Sequence, residues 1–417
     1  MKHLLLLFLF FSSFVSQAQQ WTTLNVPPAG RYDDVFFMGD TGWLAGGDSS
    51  FIYKTNDAGQ TWTRKTNFYG KYLRSIEFAT PLLGFCGSLD YSLYKTTDGG
   101  ETWTDIANTI SPIPKGICGL SAPTPQVIYG CGIWSTPAFI IKSTDGGNTW
   151  ITIDMSTYAN ALVDIHFINE NEGFVSGRAA NSQDGGTILY TADGGNTWEI
   201  KLKTMQPNDY VWKLQTYNGK NYYGSVESAL IDNIRWLQSV DSGATWQINE
   251  ITGINGYIQT IGFLDSLHGW TGGQGLLFET NDGGNSWDTI FVGGAYNRFF
   301  RANNHVAYLT GQQIYKYSPG NTTGIADYKS YDDIHSLEVS PNPTDDLMNI
   351  QCKIHNKTYC QLKLYNASGR LIQTIYDAQA EKGILNFALS LKAYPAQTFY
   401  VTLKTNEGNI HRKIMKN

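Results

Sequence analysis

Thr55-Asn56-Asp57-Ala58-Gly59-Gln60-Thr61-Trp62 is a phrase that returns five more times along the chain. It recurs as TTDGGETW from Thr96, STDGGNTW from Ser143, TADGGNTW from Thr191, SVDSGATW from Ser239 and TNDGGNSW from Thr280. The central aspartates are Asp57, Asp98, Asp145, Asp193, Asp241 and Asp282, separated by 41, 47, 48, 48 and 41 residues. A period of ~40–50 residues is that of a four-stranded blade in a β-propeller.

Each interval divides in the same way. In the first, Asp34-Val35-Phe36-Phe37, Gly42 to Gly46 and Phe51 to Lys54 read as three strands, and Thr61-Trp62-Thr63 reads as a fourth, outer strand. The turn before it explains its own residue types. A carboxylate at the third position accepts hydrogen bonds from turn amides and neighbouring hydroxyls. Glycine at the fifth adopts positive φ without a Cβ clash, and the closing indole is a large apolar wedge for a neighbouring blade. A calcium site needs six to eight oxygens, and each phrase offers one carboxylate, so no metal is expected.

Counting the repeats predicts a closed ring. Residues 19–320 hold about 6.7 units of the mean 45-residue interval. After Trp287 come three more strand-like runs, around Phe299, Tyr308 and Tyr315, with no phrase and no fourth strand. The missing strand stands at the other end, as Gln20-Trp21-Thr22-Thr23-Leu24. The N-terminal segment is therefore expected to complete a seventh blade, which removes the open sheet edge. The fold class is all-β: a seven-bladed propeller followed by a small C-terminal sandwich.

The flanks carry transport signals. Residues 1–18 have a basic start, an apolar run from Leu4 to Phe11 and small residues at Ser16 and Ala18, the pattern of a signal peptide cleaved before Gln19. No later segment is long and apolar enough to span a membrane. The net charge of -6 gives no electrostatic reason to expect a nucleic-acid partner. Residues 321–335 read as a polar linker and 336–417 as short alternating strands. Five cysteines suit neither a disulfide scaffold nor a zinc site. A disulfide across a hairpin between Cys352 and Cys360 is open, whereas Cys118 and Cys131 read as apolar fillers in neighbouring strands.

The repeated phrase resembles the Asp-box (BNR repeat) of sialidase-like propellers. The longer pattern DDVFFMGDTGWLAGGDSSFIYKTNDAGQTW looks most like the photosystem II stability and assembly factor family and its non-photosynthetic relatives. That likeness implies a fold, since Asp-boxes occur in enzymes, receptors and assembly factors alike. The tail resembles the type A sorting domain of the type IX secretion system, through Pro341-Asn342-Pro343, Leu364-Tyr365-Asn366-Ala367-Ser368-Gly369-Arg370 and the basic ending from His411 to Lys416. It departs from that family at Tyr394 to Tyr400, where the usual Gly before the late Tyr is missing. This resemblance implies engagement of the type IX secretion machinery, removal of the tail and residence at the outer surface of a Bacteroidetes-type Gram-negative cell.

Two functional readings remain. The resemblance to sialidases calls for an arginine cluster, a Tyr–Glu pair and an Asp acid/base. No convincing set is present, and Arg31 lacks the surrounding phrase of that family. A glycoside hydrolase working through paired carboxylates has Asp34 and Asp164, at equivalent starts of inner strands in blades 1 and 4, as its candidates. The other reading, which the sequence favours, is a cofactor-free binding or assembly module for an extracellular protein or glycan. Its candidate surface is Arg31, Tyr72, Arg74, Tyr210, Trp212, Tyr257, Tyr296 and Arg298, which lead into inner strands and converge on the mouth opposite the Asp-boxes.

Overall fold

The computed structural model describes residues 20–417 apart from residues 28–29, 49, 133–136, 229–232, 257, 319–334, 355–356, 367–369 and 406–407. The expected signal peptide, Tyr257 and nearly all of the expected linker thus lie outside the described residues. The described chain is almost wholly strand, with single 3-10 turns at Ala107–Thr109 and Ser182–Asp184.

Blade 1 is an antiparallel sheet of Tyr32–Met38, Thr41–Gly46, Phe51–Thr55 and Thr63–Asn67. The same order repeats in five more sheets, whose innermost strands are Leu73–Phe78, Gly119–Ser121, Ala159–Phe167, Tyr210–Thr216 and Thr260–Phe263. The seventh sheet combines Tyr296–Arg301, Ala307–Gly311 and Ile314–Ser318 with Gln20–Thr23. Trp21 is paired with Tyr317 and Thr22 with Lys316, so the N-terminal strand closes the last blade as the repeat count requires. The innermost strands touch one another in sequence, and that of blade 7 touches that of blade 1. The ring is complete.

The repeated turn does what its residues dictate. In the first copy, Asp57 accepts from the hydroxyls of Thr55 and Thr61, both at 2.6 Å, and from the Thr61 amide at 2.9 Å. The Thr55 hydroxyl in turn accepts from the Gly59 amide. Both central residues have positive φ, 54° at Ala58 and 88° at Gly59, which explains the glycine pair in four of the other copies. Trp62 lies just before the outer strand rather than on it, because its indole turns back to bond the Gly59 carbonyl.

The hydroxyl bonds hold Asp57, Asp193, Asp241 and Asp282 at about 2. A carboxylate whose folded pKa is depressed contributes stability above its unfolded value near 4 and loses it as pH falls toward 2. Acid titration is therefore expected to unfold the ring in that window. Replacing the four aspartates by Asn should flatten the transition measured by circular dichroism. A transition unchanged by the four substitutions would assign acid sensitivity to other groups.

The turn tryptophans seal the blade interfaces. Aromatic rings from adjacent blades stack face to face at 3.8 Å for Tyr308–Phe37, 3.6 Å for Trp43–Phe78, 3.5 Å for Tyr129–Phe167 and 3.8 Å for Tyr223–Phe263. Trp62, Trp103, Trp198 and Trp287 meet those phenylalanines edge-on. Offset and edge-on pairs of this kind add ~0.5–1.5 kcal/mol each beyond burial.

The C-terminal strands form two sheets around one core of Leu337, Ile350, Cys352, Leu362, Phe399 and their neighbours. Leu347–Ile354 pairs with His335–Ser340 and Gly383–Ser390, whereas Thr358–Asn366 pairs with Leu371–Ala380 and Thr398–Thr405. The strands carrying Cys352 and Cys360 thus belong to different sheets and make no hairpin with each other. The apolar side chains of both had to enter the core from opposite sides, and the chain crosses between sheets instead of turning back. Both cysteines are buried, and neither is in a disulfide.

Candidate functional site: the axis and mouth of the ring

In blades 1, 2, 4, 5 and 7 the innermost strand carries a β-bulge at the same level, between Tyr32 and Asp34, Leu73 and Ser75, Leu162 and Asp164, Val211 and Lys213, and Tyr296 and Arg298. A bulge sets two residues against one on the partner strand and interrupts the alternation of faces. In these five blades two consecutive side chains therefore reach toward the axis, and with Gln259 and Thr260 of blade 6 they form two layers. The mouth-side layer contains Asp33, Arg74, Trp212, Gln259 and Asn297. The layer beneath contains Asp34, Ser75, Asp164, Lys213, Thr260 and Arg298.

Arg298 crosses the ring in that lower layer. Its guanidinium donates to both Asp164 carboxylate oxygens at 3.0 and 3.1 Å, three blades away, and lies 3.3 Å from Asp34. Lys213 is 3.4 Å from Asp164. Asp34 also accepts from the Ile76 amide, and Asp164 from the Leu214 amide. The candidate carboxylates are therefore buried, 6% and 3% exposed, and a guanidinium stands between them. Burial pushes Asp34 up, opposed by Arg298 and Lys213. At Asp164 burial is the largest single effect, yet Lys213, Arg298, the Leu214 amide and His166 act together against it and hold the group below its usual value. Burial likewise lowers His166, one step further along the axis, which favours its neutral form.

Glu77 stands at the level of His166 and is half-buried. Burial pushes it up to about 8, against the pull of Arg298. Being protonated in the fold but ionised when unfolded, it favours the folded state below about pH 4 and weakens it as pH rises to 8. Glu77→Gln should remove that decline and raise stability at pH 8.5 by about 1–3 kcal/mol, after discounting for partial hydration. Equal denaturation midpoints for both proteins at pH 8.5 would show that Glu77 ionises freely.

The mouth-side layer is also cross-linked. Arg74 pairs with Asp33 and lies over the Trp212 ring, 5.2 Å from its centroid and three blades away. Arg31 donates to Asp33 at 2.8 Å and to Gln259 at 3.1 Å, and Gln259 donates to Glu227 at 2.6 Å. Of the residues expected at the mouth, Arg74, Trp212 and Tyr296 are buried, with Tyr296 bonding back to Gly293. Arg31, Tyr72 and Tyr210 are half-exposed. Arg298 belongs to the lower axial layer and is 22% exposed. Sequence reading passed over Asp33, Lys213, Glu227, Gln259 and Arg178, which lies 4.8 Å from the centroid of Tyr210. The available signal was adjacent polar residues inside an apolar strand, as in Asp33-Asp34 and Asn297-Arg298, where alternation must break.

Residues 338–417 match the secretion system C-terminal sorting domain family. No curated protein matches the chain in sequence. Among solved structures it is similar to YCF48 from Cyanidioschyzon merolae, at 16% identity and TM-score 0.56, covering 73% of this chain and 100% of that one. It is similar to YCF48 bound to D1 peptide at 17% identity and TM-score 0.54, covering 72% and 97%. An ancestral GH74 enzyme shares 13% identity at TM-score 0.53, covering 95% of this chain and 63% of that chain. Identities this low speak for fold alone. Fold and tail together define a secreted β-propeller. More particularly, its ring is similar in fold to YCF48, and its C-terminal residues match a sorting domain that engages the type IX secretion machinery and directs export to the cell surface or beyond in Bacteroidetes. Among the described residues no helix is long and apolar enough to cross a membrane.

Proposed function

We propose that the chain is a non-catalytic binding module displayed outside the cell, and that the mouth of the ring is its contact surface for a protein or glycan. One observation carries this reading: the charges an enzyme would need are spent on one another. Asp34 and Asp164 hold Arg298 between them, whereas a retaining or inverting glycosidase keeps its carboxyls ~5–10 Å apart across an open cleft. What stays half-exposed is Arg31, Tyr72, Arg178 and Tyr210, a mixture of the residue types that anchor interfaces.

The test is the double variant Arg31→Ala/Tyr210→Ala in the secreted protein. Capture of its extracellular partner should fall by about tenfold or more, with only a modest drop in melting temperature, because Arg74 still pairs with Asp33 once Arg31 is gone. Full capture by the variant would remove the mouth from consideration.

A further inference from the structure

Resting on the reading of the mouth as a binding surface, we propose that its ligand is an uncharged polysaccharide, and that Tyr69 and Tyr91 on blade 2 extend the site as stacking platforms. Two backbone segments meet on this face. The connection from blade 1 to blade 2 carries Phe68, Tyr69, Lys71 and Tyr72, and the hairpin loop after Ser88 carries Asp90 and Tyr91. They are tied by a bond from the Leu89 amide to the Tyr72 carbonyl, by one from Lys71 Nζ to the Asp90 carbonyl, and by the Tyr72 amide donating to the Asp90 carboxylate.

The anchoring residues and the presented ones are distinct. Phe68 stacks on Tyr94 at 3.6 Å and fixes the first segment, leaving Tyr69 93% exposed beside it. Tyr91 is 53% exposed and holds a φ of 57°, a conformation disfavoured for an aromatic residue. A glycine would fit the loop with less strain, and the ring's exposure shows that the core does not need it. Ser50 holds the same φ at the equivalent place in blade 1, so the loop sets the conformation, and what blade 2 adds there is an aromatic ring facing solvent.

Charge selects the ligand class. Arg31 and Arg74 share Asp33, Arg235 is paired with Asp209, and Arg298 and Lys213 are held by Asp34 and Asp164. Arg178 donates to the neutral Asn160 side chain and is the single mouth arginine, among the described residues, without a carboxylate partner, so an acidic ligand would find one unspent cation there and would otherwise have to break pairs already made. Polar groups that are fixed and mutually neutralised, beside separated tyrosine faces, suit hydroxyl hydrogen bonding and stacking on the C–H face of a pyranose. A protein partner would instead call for a clustered, dry apolar anchor pocket.

The experiment uses the mature full chain in affinity electrophoresis and calorimetry at 50 and 500 mM NaCl. The neutral probes are xyloglucan, mixed-linkage β-glucan, arabinoxylan and galactomannan, and the acidic probes are polygalacturonate, alginate and hyaluronan. Binding of at least one neutral polymer is expected, changing less than about twofold between the two salts because no ion pairs are exchanged. Tyr69→Ala and Tyr91→Gly should each weaken it about tenfold. Tyr91→Gly relieves the backbone, so its melting temperature should equal or exceed the parent's, which separates lost binding from lost folding. Binding confined to acidic polymers and weakened by salt would overturn the inference while leaving the mouth as a site. So would neutral-polymer binding that both tyrosine variants retain. Failure of every polysaccharide, with a protein partner still lost in Arg31→Ala/Tyr210→Ala, would overturn the ligand class alone.

Discussion

Arg298→Met is expected to destabilise the propeller by about 3–5 kcal/mol, the largest effect of any single side chain at the axis. Methionine replaces much of the lost volume but leaves Asp34 and Asp164 buried with Lys213 as their nearest remaining cation. Removing one partner of a buried charge network costs more than the network itself contributes, because the remaining charges stay out of water. The deficit should shrink as pH falls below 5, where the orphaned carboxylates take up protons. Urea denaturation at pH 5 and pH 8 measures both effects. A loss below about 1 kcal/mol at pH 8 would mean that water screens these groups as it does at a surface. Arg298 is for this reason a poor position for testing ligand capture, since its loss and misfolding would be confounded.

The second large effect concerns closure. Deleting Gln20–Leu24 removes the outer strand of blade 7, exposing the edge of Ile314–Ser318 and the contact of Trp21 with Trp270 and Tyr317, at 5.4 and 5.3 Å. Trp21→Ala alone should cost about 2–4 kcal/mol, toward the lower end of tryptophan truncations because the indole is only partly buried. The deletion should cost more and also leave a strand edge able to recruit another chain. Light scattering of the truncated protein is expected to report oligomers where the parent is of uniform size. A monodisperse truncation with an unchanged denaturation midpoint would show that three strands suffice for blade 7.

Local interactions made much of this legible. The turn phrase forms its hydrogen bonds within about five residues, so Asp57, Gly59 and Trp62 can be assigned roles from spacing alone. Closure could be read because a missing strand and a spare strand with the same Trp-Thr pattern stand at opposite ends. The tail, too, announces itself in short motifs. The Cys352–Cys360 hairpin was misread because alternation specifies which face of a strand is apolar, but not which strand it joins.

Sequence alone therefore determined the repeat, the number of blades, the closing strand and the export tail, all of which depend on regular local chemistry. Only the tertiary structure decided what fills the axis. Arg298 and Asp164 are 134 residues apart and meet only because the ring places blades 7 and 4 opposite each other. The bulge that turns Asp33 and Asp34 inward together breaks the two-residue period on which strand reading depends. Tertiary packing then gathers the candidate carboxylate pair and the candidate arginine into one network of ions.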